Sequence, residues 1–244
     1  MKSFVAALAF CTRIPVPASL VIGTEDVGRS ARYFPLIGAM LGGAYLLLAW
    51  ILHPFLAPLV IAAIALAVEA SATGALHFDG LADMADGFGG GRTVEDVLRI
   101  MRDHAIGSYG GTALLLLMLI KAFALASLFE GPGGWWVVLL APVMGRWSIL
   151  LLSATTPYAR PNVAVSRFIG KRDLVWGSLV CAAIAIPAGR WKGLLCWAAV
   201  LASSWMLRRY FRRRIGGVTG DTLGGTEEIC EALTLVVGLA LARA

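Results

Sequence analysis

Long apolar segments alternate with short polar ones along most of the chain. About 20 apolar residues on a helix that rises about 1.5 Å per residue cross the hydrocarbon core of a bilayer. Seven segments approach or reach that length, and they are residues 35–52, 58–76, 110–129, 135–155, 174–188, 194–207 and 229–241. The fifth and sixth are short. The pattern predicts one all-α integral membrane domain, residues 1–244, built as a polytopic transmembrane helix bundle of about seven spans.

Composition narrows the class of protein further. The chain is 59% hydrophobic and 15% charged, and its mean hydropathy is +0.79. Soluble domains carry about 25% charged residues, so that class is excluded. The apolar stretch Val5–Cys11 is followed by Arg13 without a signal-peptide cleavage pattern, and we expect it to lie on the membrane surface. The four cysteines show no CxxC spacing, which argues against a disulfide framework or a zinc site.

The basic residues indicate an orientation in the membrane. With a cytoplasmic N-terminus, the inner segments hold sixteen basic residues and the outer segments hold three. The inner segments are residues 1–34, 77–109, 156–173 and 208–228. This asymmetry predicts a multi-pass protein of the inner cell membrane with its N-terminus inside. No aromatic residues interleave with a basic patch, so a nucleic-acid partner is excluded. The basic run 208–214 is predicted to contact anionic lipid headgroups, with phosphate binding as the alternative.

Three aspartates follow the second apolar segment within eight residues. At about 100° per residue, Asp79, Asp83 and Asp86 fall on one face of a continuing helix. Their mutual repulsion favours a bound cation, and carboxylate oxygens suit Mg²⁺ or Mn²⁺. A transition metal bound through His77 and His104 is the second choice. The structural alternative is a solvated acidic helix end.

A second amphipathic segment follows this acidic stretch. The glycines within residues 87–91 are expected to break the first helix and to let the backbone approach a ligand. The next helix is predicted from Thr93, its N-cap, to His104. Asp96, Arg99 and Asp103 are expected to share one face of that helix. Asp103 would complete the metal site, while Arg99 or Arg102 neutralises phosphate oxygens. Salt bridges on a surface helix are the alternative.

The last inner loop carries a second group of acids. Residues 216–228 are rich in glycine and threonine, and polar backbone of this kind near a membrane usually lines a cavity. Asp221 lies in this loop, and Glu228 and Glu231 lie three apart on one helix face. We expect this cluster to meet the first one, with a helix cap as the alternative.

Three ionisable residues fall inside apolar segments. Glu69, Lys121 and Arg146 would each be costly in lipid unless turned towards a polar interior. Pairing of Glu69 with Lys121 or with Arg146 is therefore one interpretation. Such residues also occur in transporters and do not by themselves separate a carrier from an enzyme.

Taken together, these strings resemble the cobalamin synthase family, also called adenosylcobinamide-GDP ribazoletransferases, over nearly the whole chain. The matching strings are Phe10–Pro17, Tyr33–Gly38, His77–Gly87, Gly145–Trp147, Tyr158–Arg160 and Gly216–Glu228. The chain departs from the expected pattern at Pro161–Val165, where a segment containing glycine is expected. The resemblance implies that the ribose 3′-hydroxyl of α-ribazole, or of its 5′-phosphate, attacks the cobinamide-linked phosphate of adenosylcobinamide-GDP. GMP leaves, and adenosylcobalamin or its 5′-phosphate forms.

Roles for the candidate residues follow from that reaction. Mg²⁺ is expected to bridge the pyrophosphate while held by Asp79, Asp83 and Asp86, with help from Asp103. Asp86 or Asp221 would accept the proton of the attacking hydroxyl. Substrate contacts are expected from Arg13, Arg102, Arg146, Arg160, His77, Asp221 and Glu228. The partners are then the two substrates and the lipid bilayer, and a homo-oligomer stays open.

Two other functions compete with this interpretation. Asp79, Asp83 and Asp86 are similar in kind to the motif of CDP-alcohol phosphatidyltransferases, but the Asp-Gly-x-x-Ala-Arg continuation of that family is missing. A metal-ion or corrinoid transporter should carry its carboxylates along the membrane midplane. In this sequence they concentrate in predicted inner loops, which favours an enzyme at the membrane surface.

Overall fold

The computed structural model describes residues 2–16, 23–131, 133–160 and 168–243. Within these ranges the protein is helical and has no β-strand, which confirms the all-α prediction. The helices are α1 (Lys2–Cys11), α2 (Thr24–Ser30), α3 (Phe34–Leu52), α4 (Pro58–Thr73), α5 (Leu76–Gly90), α6 (Val94–Ile100), α7 (Ser108–Glu130), α8 (Trp135–Thr155), α9 (Lys171–Ile215) and α10 (Gly220–Arg243). The departure predicted at Pro161–Val165 lies outside the described residues.

Four stretches are long and apolar enough to cross a bilayer: Glu25–Leu52, α7, α8 and α9. A fifth is added if α4 and α5 count as one bent span. Helix α4 alone has only 16 residues, and α10 carries three glutamates near its first turns. The membrane bundle is thus confirmed, whereas a count of seven crossings stays a prediction.

Helix α9 consists of two arms. Arg190 leaves helical geometry, with φ 52° and ψ −135°. The first arm packs along α8, because a Cβ at Gly189 would come within 2.8 Å of the Trp136 ring. The second arm ends beside the other end of α8, where Arg208 donates a hydrogen bond to the Thr155 carbonyl at 2.8 Å. The two short apolar segments predicted from the sequence are therefore separate arms that reverse direction.

Helix α8 forms the centre of the bundle. Most of its residues are buried, and α3 packs against it through Gly38 and Gly42. A Cβ at either glycine would collide with the α8 backbone near Pro142 or Leu139. Such spacing of small residues allows close contact between helices in lipid. Large apolar side chains on the outer faces, Trp50 among them, stay exposed as expected for lipid contact.

A sharp bend between α4 and α5 sets the position of the acidic helix. The two helix axes differ by 91°. Gly74 and Ala75 both adopt left-handed conformations, with φ of 65° and 57°, and such a conformation ends a helix. The Arg13 amide donates to the Ala72 carbonyl at 2.6 Å, which ties the N-terminal segment to the bend. Helix α5 consequently runs nearly perpendicular to α4.

The N-terminal helix and the cysteines are as predicted from the sequence. Helix α1 forms as expected and buries Ala6, Ala7 and Cys11 against the bundle. All four cysteines are free and buried, so they pack as small apolar side chains. Whether α1 contacts the membrane surface stays a prediction.

Candidate active site

Helices α5 and α10 pack unusually closely, and this contact brings the two acidic groups together. A Cβ at Gly80 would lie 3.1 Å from the Asp221 carbonyl oxygen, and one at Gly224 would lie 3.3 Å from the His77 Cα. Only glycines allow two helix backbones to approach so far. Asp79, one residue before Gly80, therefore lies next to the first turn of α10.

Two of the acids at this contact, Asp83 and Asp221, have a raised pKa. The pKa of Asp83 rises from 3.8 to about 6, mainly because of burial and also because of the charges of Asp79, Asp221 and Asp86, while His104 opposes the rise. Burial also raises the pKa of Asp221, against the effect of Arg160. A group of carboxylates that repel one another in this way favours a cation. The predicted meeting of the two acidic clusters is thus confirmed for Asp221.

Asp221 is held in place by the loop that follows α8. Its Oδ2 accepts hydrogen bonds from Arg160 Nη2 at 3.1 Å and from Thr219 Oγ1 at 3.2 Å. The Tyr158 hydroxyl accepts a bond from the Gly220 amide at 2.9 Å. The Val218 amide also donates to the Pro157 carbonyl at 2.9 Å. Arg160 and Asp221, both candidates from the sequence, are therefore positioned together.

A cavity of about 160 Å³ opens at this contact. Its lining residues come from α5, the start of α10, α1 and α8, and they are Phe10, Leu76, His77, Asp79, Gly80, Ile149, Gly220, Asp221, Leu223 and Gly224. The volume is smaller than the roughly 300–1,000 Å³ of a pocket that encloses a whole ligand. It suits one end of a large substrate, such as a phosphate group with a bound cation.

Asp86 differs from the other two aspartates of α5. It is buried, and its Oδ2 accepts a hydrogen bond from the Gly107 amide at 2.7 Å while its Oδ1 accepts one from the Gly110 amide at 2.8 Å. These amides lie at the start of α7, where the helix dipole favours a negative charge. Asp86 thus caps α7, and of the two predicted bases only Asp221 lines the cavity.

The glycine run ends α5 as predicted, whereas the predicted extent of the next helix was wrong. Helix α5 ends at Gly90, and Gly91 is its C-cap. The glycines also allow close packing, since a Cβ at Gly87 would lie 2.6 Å from Met101. Thr93 caps α6 as predicted, with its Oγ1 accepting from the Asp96 amide at 3.1 Å. The helix nevertheless ends at Ile100, where the chain tightens into a turn.

Three candidates on exposed segments lie away from the cavity lining. Asp103 and Arg102 follow the end of α6 and are exposed, and Asp103 Oδ1 accepts a hydrogen bond from the Ala105 amide at 3.2 Å. The expected sharing of a helix face by Arg99 and Asp103 is therefore wrong. Arg13 lies against Gly74 at the bend between α4 and α5.

The charged residues inside the apolar segments form one buried cluster, which we call the inner charge cluster. Lys121 Nζ lies 2.9 Å from Glu69 and from Glu228, and 3.0 Å from Glu231. Arg146 pairs with three glutamates of the same group, Glu69 at 3.2 Å, Glu231 at 2.6 Å and Glu227. The interpretation that Glu69 pairs with Lys121 or Arg146 is confirmed for both.

This cluster corrects several expectations. Arg146 and Glu228 are almost fully buried and hold other side chains, so neither reaches the cavity as a substrate contact. His77 borders the cavity but is only 4% exposed, and its Nδ1 lies 3.3 Å from Glu227 Oε2. Glu227 was missed from the sequence, although it precedes Glu228 directly. Glutamates also lie inside the bundle, so the location of the acids no longer argues against a transporter.

Comparison with known proteins identifies the family. The family model described as Cobalamin-5-phosphate synthase matches residues 3–239. A Ralstonia nicotianae protein named adenosylcobinamide-GDP ribazoletransferase is 38% identical over 98% of this chain and 95% of its own length. Proteins of the same name from Pseudomonas putida and Pseudomonas aeruginosa are 40% and 39% identical, over 99% and 97% of both chains. No solved structure gives a significant match. The chain belongs to the cobalamin-5-phosphate synthase family.

Proposed function

We propose that this protein joins adenosylcobinamide-GDP and α-ribazole, or α-ribazole 5′-phosphate, to give adenosylcobalamin, or its 5′-phosphate, and GMP. The observation that carries the proposal is the meeting of Asp79, Asp83 and Asp221 across the close contact of α5 and α10. The relatives that carry the name of this activity match the chain over almost their whole length. That agreement favours the enzyme over the transporter and over the CDP-alcohol enzyme.

The donor set fits a hard divalent cation. Asp79, Asp83 and Asp221 offer only carboxylate oxygens, which suit Mg²⁺. Burial and the nearby carboxylates of Asp79, Asp221 and Asp86 raise the pKa of Asp83 to about 6, and a cation would offset the negative charge of these carboxylates. Asp79 and Asp83 would hold the ion. When bound, Mg²⁺ would offset charge on the pyrophosphate and on the departing GMP.

The protein's own side chains would then orient the reactants and take up the proton. The ribose 3′-hydroxyl oxygen forms a bond to the cobinamide-linked phosphorus, and the bond from that phosphorus to GMP breaks with its electron pair leaving on GMP. Asp221 is the proposed base for the hydroxyl proton, because burial makes it a better acceptor than an exposed aspartate. Arg160 and Thr219 fix its carboxylate. The small cavity leaves the large corrinoid ring outside.

A direct test replaces Asp83 by Asn in protein reconstituted into liposomes. We expect product formation from adenosylcobinamide-GDP and α-ribazole to fall about 100-fold or more, because a charged ligand at the phosphate end is lost. The matched control is Asp96→Asn, which removes a half-exposed acid on α6 paired with Arg99 at 3.7 Å. Equal activity of Asp83→Asn and the control would contradict the proposed role of α5.

The orientation is part of the same proposal. We infer an inner-membrane protein whose active site faces the cytoplasm, supported by the excess of basic residues in segments next to the site. Two of those residues, Arg208 and Arg214, donate to backbone carbonyls of Thr155 and Gly91 beside the site. Their placement agrees with a role in anchoring this end of the bundle.

A further inference from the structure

The inner charge cluster carries more negative than positive charge. It contains four glutamates, Glu69, Glu227, Glu228 and Glu231, against the two cations Lys121 and Arg146. With a neutral His77, the cluster has two negative charges in excess. Lys121 and Arg146 are fully buried, and the four glutamates are at most 1% exposed. Uncompensated charge in such buried surroundings is strongly destabilising.

Some polar atoms of the cluster have no hydrogen bond among the described residues. They include His77 Nδ1, Glu227 Oε2 and Glu228 Oε1, on side chains that are at least nine-tenths buried. Donor atoms of these three residues lie within 4.8 Å of one another. Two ligands of one ion at about 2.1 Å are up to about 4.2 Å apart, so small side-chain rotations would place all three on one ion.

We propose that His77, Glu227 and Glu228 bind a divalent transition-metal cation, a site distinct from the Mg²⁺ site proposed at Asp79 and Asp83. A dication cancels the two excess negative charges. One imidazole nitrogen together with carboxylates suits Zn²⁺, Mn²⁺ or Fe²⁺ better than Mg²⁺. Lys121 Nζ donates a hydrogen bond to Glu228 Oε2 at 2.9 Å, which leaves Glu228 Oε1 for the ion.

A second triad in the cluster is a weaker candidate. Donor atoms of Glu69, Glu227 and Glu231 also lie within 4.8 Å of one another. Arg146 pairs with all three of these residues, however. Its guanidinium already supplies the cation there. In the imidazole triad Arg146 pairs with Glu227 and Lys121 pairs with Glu228, but no cationic side chain in the described part of the chain pairs with all three residues.

The proposed ion would fix α5 on α10 beneath the active site. His77 lies in the first turn of α5, directly after the left-handed residues of the bend, and Glu227 and Glu228 lie on α10. His77 points into the bundle while Asp79 is exposed. The ion would therefore act as a positioning element that holds Asp79 next to Asp221.

The test measures metal content in detergent-purified protein after dialysis in Mg²⁺ buffer. We expect about one transition-metal ion per chain by plasma mass spectrometry, and X-ray absorption should show a nitrogen and oxygen ligand sphere with imidazole. Glu228→Gln and His77→Gln should each lower the bound metal at least tenfold. The control Asp83→Asn should retain it, which separates this site from the proposed active-site ion.

Wild-type protein alone also decides the matter if the variants fail to fold. A strong chelator should lower its melting temperature, and added Zn²⁺ or Mn²⁺ should restore it. The proposal would be overturned if wild-type protein contained no bound metal and its melting temperature did not change when chelator was added. An infrared carbonyl band from a protonated carboxyl group that is present in wild type and lost in Glu228→Gln would also overturn it, because protons would then balance the charge. Loading by Mg²⁺ alone would overturn the assigned class of ion.

Discussion

Asp83 has a higher proton affinity than an ordinary aspartate because it is partly buried beside Asp79 and Asp221. Its pKa rises from 3.8 to about 6. A metal ligand must be deprotonated, so protons compete with the metal below this pH. Asp221, the proposed base, shifts in the same direction. Both roles therefore require a pH above the ordinary range for carboxylates.

We expect Mg²⁺ affinity to decrease by up to about tenfold per pH unit below pH 6. Because the folded pKa is raised, ionised Asp83 lowers the stability of the metal-free protein above pH 6, and this penalty disappears below about pH 4. Asp83→Asn should thus melt at a higher temperature than metal-free wild type at pH 8 and at the same temperature at pH 4. Melting curves at both pH values check this. The opposite order at pH 8 would contradict the raised pKa.

The position of a residue could be predicted from the sequence where only its neighbours along one helix decide it. Asp79 and Asp83 lie on α5 as the helical period predicts. Asp86 lies on the same helix at the predicted spacing, but its carboxylate caps α7. That contact depends on how the start of α7 packs against α5, which the helical period does not predict. Arg146 was predicted to bind substrate because guanidinium groups commonly bind oxyanions. Only tertiary packing shows that three glutamates surround it.

At the element scale, the decisive feature is the glycine contact between α5 and α10. We expect Gly224→Val to separate the helices, to lower stability by about 1–3 kcal/mol through overpacking, and to reduce transferase activity. The added side chain would press on the backbone at His77, only 3.3 Å from the position of a Cβ. Thermal unfolding and product formation in detergent measure the two effects.

A suitable control for this variant is Gly43→Val on α3. A Cβ at Gly43 meets nothing within 4 Å, so the same side chain is added without a collision. If both variants unfold alike and retain equal activity, the close contact is not what positions the acids.

Apolar segment length predicted most helices well, because lipid forces the backbone to form its hydrogen bonds internally. Helices α7 and α8 match the predicted segments closely. The bend at Ala75 was not predictable, since alanine rarely adopts a left-handed conformation. The polar loop expected before the last segment is mostly helix, because α10 already starts at Gly220.

At the scale of the whole molecule, the bundle has two chemically different ends. One end gathers Asp79, Asp221 and Arg160. At the other end Lys192 donates to the Leu241 carbonyl at 2.7 Å. The family assignment came from strings spread over the whole chain, whereas the balance of buried charge needed the assembled bundle.

Labelling with a membrane-impermeant maleimide tests the orientation of these two ends. The native cysteines are buried, so new thiols at exposed positions report alone. Gly131→Cys should react in intact spheroplasts, while Glu25→Cys should react only after the membrane is opened. The reverse pattern would contradict a cytoplasmic active site.

The pairing of Arg146 and Lys121 has a consequence for biosynthesis. Translation delivers α7 and α8 to the membrane before α10, which supplies Glu227, Glu228 and Glu231. Until then, Glu69 on α4 is the single acidic partner already made within the cluster. A nascent chain that stops before α10 would keep two cations short of counterions and become a substrate for quality-control proteases.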